Sequence, residues 1–143
     1  MNARTLFPLL LAMAALPLQA APSDEEVEAR KRALLLAGAF SNDGFKIRDG
    51  NWVGDIKLGQ ARIIQVNLYA GNEYWFSAAA TDPAKKLTVS VYDEKGAPLP
   101  FEPYQEAATA AAGFSPKASG TYFVKVEEVE GEPAAFCLLY SYK

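Results

Sequence analysis

The stretch Leu87-Thr-Val-Ser-Val-Tyr-Asp-Glu-Lys-Gly96 decides the fold class. Leu87, Val89 and Val91 alternate with Thr88, Ser90 and Tyr92, giving one aliphatic face and one polar or amphipathic face. A two-residue period rich in β-branched and aromatic side chains marks a strand packed on one side. Asp93-Glu-Lys-Gly96 then supplies a turn, with a side-chain acceptor at its start and a glycine free to take positive φ at its end.

Working outward, the same pattern recurs. Upstream, Ile64, Val66 and Leu68 line one face of a strand over 61–69, with Ile63, Gln65, Asn67 and Tyr69 on the other. Ala70-Gly-Asn72 reverses the chain into 73–79, where Tyr74, Phe76 and Ala78 oppose Trp75 and Ser77. Phe45-Lys-Ile47 reads as a short strand and Trp52–Ile56 as another, separated by the turn Arg48-Asp-Gly-Asn51. Downstream, the three prolines of Ala97-Pro-Leu-Pro-Phe-Glu-Pro103 forbid a central strand and indicate an edge or an extended crossing. The alanine-rich run after Gln105 has helical propensity, but the surrounding pattern favours a strand near 110–114. Strands follow over 121–129, with Tyr122, Val124 and Val126 on one face, and over 134–142. About eight strands at short spacing with no long intervening helix predict an all-β antiparallel sandwich over 41–143.

Two further segments precede it. Residues 1–20 carry a lightly basic start, an apolar run from Leu6 to Leu18 and the small-residue exit Leu18-Gln-Ala20, the pattern of a signal peptide. The run is too short to span a bilayer, and no later segment is apolar enough to do so. A periplasmic or secreted location is therefore expected. Within 21–40, Ser23-Asp-Glu-Glu26 forms a capping box that starts a helix running to about Ala37, with Gly38 near its end. Val27, Leu34 and Leu35 share one side, widened by Ala33 and Ala37, so the helix is expected to dock on the sandwich or to cover one of its open ends.

Composition excludes several functions. The net charge of −3 and pI near 5.0 argue against a nucleic-acid partner. Histidine is absent, which removes the commonest general base near neutral pH and the commonest neutral metal ligand. Cys137 is the sole cysteine, so no internal disulfide forms, and its apolar setting predicts a buried, inert thiol.

Three segments in order, Leu68-Tyr-Ala-Gly-Asn-Glu-Tyr-Trp-Phe76, Leu87–Gly96 and Phe114-Ser-Pro-Lys-Ala-Ser-Gly-Thr-Tyr-Phe-Val-Lys-Val126, carry a resemblance. Over roughly 51–143 the chain resembles the bacterial pre-peptidase C-terminal domain. The resemblance implies a noncatalytic, jelly-roll-like β-sandwich implicated in secretion, in substrate attachment and in some cases in calcium-stabilised folding. That domain is often appended to a protease. Here only a leader and a short helix precede the sandwich, so a monomer engaging an unknown protein or polysaccharide in trans is expected.

Candidate chemistry is sparse. No Ser-x-x-Lys or Gly-x-Ser-x-Gly motif stands beside a base. Glu127, Glu128, Glu130 and Glu132 cluster near a strand end, where a solvated acidic edge is the simplest reading and a carboxylate pair for a secreted hydrolase the alternative. Calcium is the one metal to carry, with oxygen ligands from Asp82, Asp93 and Glu94, or from Asp43, Asp49 and Asp55. Asp93 reads first as a turn-former hydrogen-bonded to its own backbone, and as a calcium ligand only second. Tyr69, Trp75 and Tyr92 share the parity opposite the core and would form an aromatic platform for a glycan or peptide if their strands are neighbours. The competing arrangement has the helix or the second sheet covering them. A rigid loop at Pro98–Pro103 would suit an inhibitor of a secreted hydrolase.

Overall fold

Alternation of apolar and polar side chains becomes two stacked sheets. The computed structural model describes residues 21–143; the signal peptide expected over 1–20 lies outside them. The elements in order are α1 (Asp24–Ser41), β1 (Lys46–Ile47), β2 (Trp52–Ile56), β3 (Arg62–Leu68), β4 (Tyr74–Ala80), β5 (Ala84–Tyr92), β6 (Glu102–Glu106), β7 (Thr109–Phe114), β8 (Gly120–Gly131) and β9 (Ala134–Tyr142). One sheet runs β1-β9-β4-β7-β6, with β2 continuing the β1 edge of β9; the other runs β3-β8-β5. All pairs are antiparallel. The fold is thus the predicted antiparallel sandwich, with nine strands and one helix.

The period-two sets face one another between the sheets. Ile64, Val66 and Leu68 of β3, Leu87, Val89 and Val91 of β5 and Tyr122, Val124 and Val126 of β8 meet Tyr74, Phe76, Leu138, Phe136 and Tyr140 of the larger sheet. Each fully buried large side chain, such as Phe76, Leu87 or Phe136, contributes about 1.5–3 kcal/mol. The alanine-rich run is β7, as the strand reading required, and the proline-bearing β6 is an edge strand paired only with β7.

The central strands of the larger sheet, β4 and β9, are buried on both faces. Ala134–Ser141 of β9 are all buried, which is why this stretch reads as a continuous apolar run rather than an alternating one. Its back face, Ala79, Ala135, Cys137 and Leu139, packs against α1 through Ala29, Ala33 and Ala37. The helix docks as expected through Ala33 and Ala37, joined by Ala29, but the bulky residues read onto the same side do not take part. Val27, Leu34 and Leu35 are exposed rather than buried. Two anchors set this rotation: Phe40 stacks on Trp75 at 4.2 Å and 9°, and Arg32 reaches Glu28 (3.2 Å), Asp82 (3.6 Å) and the Ala80 carbonyl. A back face floored by small residues accepts a close-lying alanine ridge better than a leucine one. The capping box is formed as read, with Glu26 N–H donating to Ser23 Oγ (3.1 Å) and Ser23 N–H to Glu26 Oε1 (3.4 Å).

Candidate functional site

The two sheets differ in width, and the mismatch opens a groove on one flank. β3 pairs only with β8, so one side of β3 is free. Beyond it, β1 and β2 both pair with β9, and the intervening Arg48–Asn51 forms the opposite wall, tied down where Arg48 N–H donates to the Tyr140 carbonyl (2.9 Å). Arg48, Asp49, Trp52, Gln65, Asn67 and Tyr140 line a recess of about 380 Å³. A second recess of about 270 Å³, adding Tyr69, Asn72, Tyr74 and Tyr142, shares Arg48, Asn67 and Tyr140 with the first. The two form one continuous groove.

Its floor is rigid. Tyr140 packs on Trp52 (6.0 Å, 15°), Tyr74 (6.1 Å) and Phe76 (5.5 Å), and the Arg48 guanidinium lies over the Tyr140 ring and donates to its hydroxyl. Burial raises the phenol of Tyr140 above its ordinary range, against the opposing pull of Arg48. The Tyr74 hydroxyl accepts from Tyr69 N–H (2.9 Å) and Asn72 Nδ2 (3.2 Å), which fixes the turn that carries Tyr69. The groove therefore offers aromatic faces, side-chain amides and one guanidinium. Among the described residues, Asp49 is the one carboxylate lining it.

Of the three aromatic residues predicted to form a platform, only Tyr69 is here, 64% exposed. Trp75 lies on the back face of the larger sheet beneath Phe40, and Tyr92 lies on the outer face of the smaller sheet beside Lys125. Both sheets stand between Trp75 and Tyr92, so the platform is not assembled; the helix covers Trp75, as the competing arrangement had it. Tyr92 is instead part of a local polar group. Lys125 Nζ sits 5.3 Å over its ring and 3.6 Å from Glu127, and the Lys125 and Ser90 hydrogen bonds lower the Tyr92 phenol while raising the ammonium.

The calcium candidates are also dispersed. Asp82 and Asp93 flank opposite ends of the nine-residue β5. Asp82 lies beside Arg32, and Asp93 Oδ1 accepts from the backbone of Lys95 and Ala97 at 2.9 Å each, the turn role open to it from sequence. Glu94 is exposed in that same turn, while Asp43, Asp49 and Asp55 fall after α1, between β1 and β2, and on β2. Among the described residues no group of three or more His, Cys, Asp or Glu side chains could hold a metal ion.

One member of the acidic cluster departs from the solvated edge expected of it. Glu128 is 1% exposed and neither carboxylate oxygen has a partner among the described residues. It continues the inward set Tyr122, Val124, Val126, and β8 runs to Gly131 before the chain turns, so its parity was readable. Burial, with Glu132 nearby, holds its carboxyl above the ordinary range. Cys137 is fully buried and its thiol is pushed up to about 11 by burial, matching the inert reading. The Pro98–Pro103 loop is tied to the core through Leu99 and Phe101, and Leu99 N–H donates to the Val91 carbonyl (3.0 Å).

Arg48, Trp52, Asn67 and Tyr140 were not singled out in the sequence. The β1–β9 and β2–β9 registers bring Arg48 and Trp52 beside Tyr140, and Asn67 faces them from β3 of the other sheet. No protein-family model matches the chain, and a comparison with curated proteins finds no match.

Proposed function

We propose that this chain is a noncatalytic, exported binding module that engages a ligand in trans through the groove between β3 and Arg48–Trp52. The observation that carries this reading is the groove's lining: rings of Trp52, Tyr69 and Tyr142, the amides of Gln65, Asn67 and Asn72, and Arg48, all on a floor locked by Tyr140. Such a surface holds a ligand by stacking and hydrogen bonding. Hydrolysis by acid and base needs two carboxylates across the scissile bond, and this groove is lined by Asp49 alone. The buried acid Glu128 and the buried thiol Cys137 lie away from the groove in the packed interior.

Export is supported by the signal-peptide pattern of 1–20. The likeness to the pre-peptidase C-terminal domain points the same way, toward a sandwich that attaches rather than cleaves. Calcium, if it acts on this chain, would do so through fewer protein carboxylates than a dedicated site supplies. Titration of the mature protein with solubilised envelope polysaccharides and with peptides, following Trp52 emission in a Trp75→Phe background, tests the reading. Saturable change lost on Arg48→Ala and Tyr69→Ala supports it; a response that survives both substitutions places the ligand elsewhere.

A further inference from the structure

Sheet edges expose rows of unpaired N–H and C=O groups, and folded proteins ordinarily blunt them. Three of the four edges here are blunted. β6 is short, carries Pro103 and is flanked by Glu102 and Glu106. β5 slips register between Ala84 and Leu87 and is bridged at its other end by Pro98 and Leu99. The β1/β2 edge is split into strands of two and five residues by Arg48–Asn51. β3 has none of these devices. Its seven residues, Arg62-Ile-Ile-Gln-Val-Asn-Leu68, hold one unbroken register with β8, contain no proline and carry a single charge at the first position.

That free edge does not face open solvent. Gln65, Val66 and Asn67 line the groove whose far wall is Arg48–Trp52, so the unpaired groups look into a slot. We infer that the ligand of the groove is an extended polypeptide segment that adds to β3 as a fourth, outer strand of the smaller sheet. This rests on the binding-module reading above and names the partner class. In an antiparallel ladder every second residue directs both backbone groups to the same side, and a partner must repeat its own donors and acceptors at that interval. A polypeptide does this along the part of β3 that lines the groove, Gln65–Asn67, about 10 Å at ~3.3 Å per residue, and a sugar chain does not; at the start of β3, Arg62 crosses instead to the Asp55 carbonyl of β2 (3.2 Å). Alternate side chains of the incoming strand would meet the Trp52, Tyr69 and Tyr142 rings, the arrangement by which strand addition gains selectivity. Arg48 has no carboxylate within ion-pair reach among the described residues and lines the middle of the groove, which favours a strand with Asp or Glu there.

The test uses a displayed library of random heptapeptides selected on the mature protein, followed by synthesis of the best binders with single backbone N-methyl groups. Strand addition requires that methylation at alternate positions weaken binding about ten-fold or more, while the intervening positions change it by less than about two-fold. Amide exchange of alternate β3 residues should slow in the same complexes. Peptides insensitive to methylation at every position overturn the inference. Binding of oligosaccharides, with no peptide selected, overturns it while leaving the binding-module reading intact. Binding of neither class at the groove overturns both. A concentration-dependent dimer with protected β3 amides and no added peptide replaces the peptide by a second copy and equally overturns it.

Discussion

Gly113→Ala is the sharpest probe of how the helix is held. Gly113 lies directly across from Trp75 in the β4–β7 pair, and a methyl group there would sit 2.9, 3.0 and 3.1 Å from Cζ2, Cη2 and Cε2 of the indole. Three neighbouring ring atoms at nearly equal distance mean contact with the ring face. The other face is taken by Phe40, stacked at 4.2 Å. Ordinary contact begins near 3.4 Å, so the indole must rise by about 0.5 Å, and it can do so only by lifting the C-terminal turn of α1. Overpacking of this kind costs about 1–3 kcal/mol, offset by roughly 0.4–1 kcal/mol from a less flexible unfolded chain. The net loss of about 1–2 kcal/mol lowers Tm by roughly 3–10 °C for a domain of this size. Thermal melts in a Trp52→Phe background, with Trp75 emission as the probe, measure it. In a Phe40→Ala background the indole is free to tilt outward, so the same substitution should cost about 1 kcal/mol less. An equal loss with and without Phe40, or no loss at all, refutes the sandwiched indole.

Other outcomes follow from the same structure. Glu128 keeps its proton in the folded state above the ordinary value of 4.5, whereas the unfolded chain releases it there; stability contributed by the neutral acid therefore falls as pH rises through the weakly acid range. Glu128→Gln removes that slope, so its Tm advantage over wild type should grow from pH 4 upward in parallel melts, and a constant gap contradicts the orphaned carboxyl. Native Cys137 should resist thiol reagents at pH 8 and react fully in denaturant, since a pKa of about 11 and full burial leave little accessible thiolate. Ala33→Leu should destabilise by about 1–3 kcal/mol by prying α1 off the sheet, while Leu35→Ala, at 78% exposure, should stay within about 0.5 kcal/mol in urea melts. Asp93→Ala removes the acceptor of two backbone N–H groups and should cost about 1 kcal/mol by the same assay.

The fold was legible because the strands of the smaller sheet bury one face only. In β3, β5 and β8 the inward residues are apolar apart from Glu128 and the outward ones are mostly polar or aromatic, so period two gives both element and orientation. The helix was legible as an element, through its capping box, but its orientation was not. Counting the bulkiest side chains selected Val27, Leu34 and Leu35, whereas the receiving surface is a bed of alanines that rewards small residues and close approach. The aromatic trio failed for a related reason. Parity within a strand tells which residues share a face, but Trp75 and Tyr92 belong to different sheets, whose outward faces point in opposite directions. The groove was hidden because it is a property of register. Arg48 reads as part of a turn, and nothing local ties it to Tyr140, 92 residues on.

The position of β9 has a consequence for how the molecule comes into being. This strand joins β1 and β2 on one side to β4 on the other and also receives α1, so elements from residue 24 onward have their lasting neighbours in 134–142. Until that strand is in place the helix lacks half of its bed and β1 and β2 have no partner. Assembly is dominated by partners distant along the chain, a regime in which folding is slow and takes hold late. A polypeptide of this design stays pliable through most of its own emergence and sets only once Tyr142 is free.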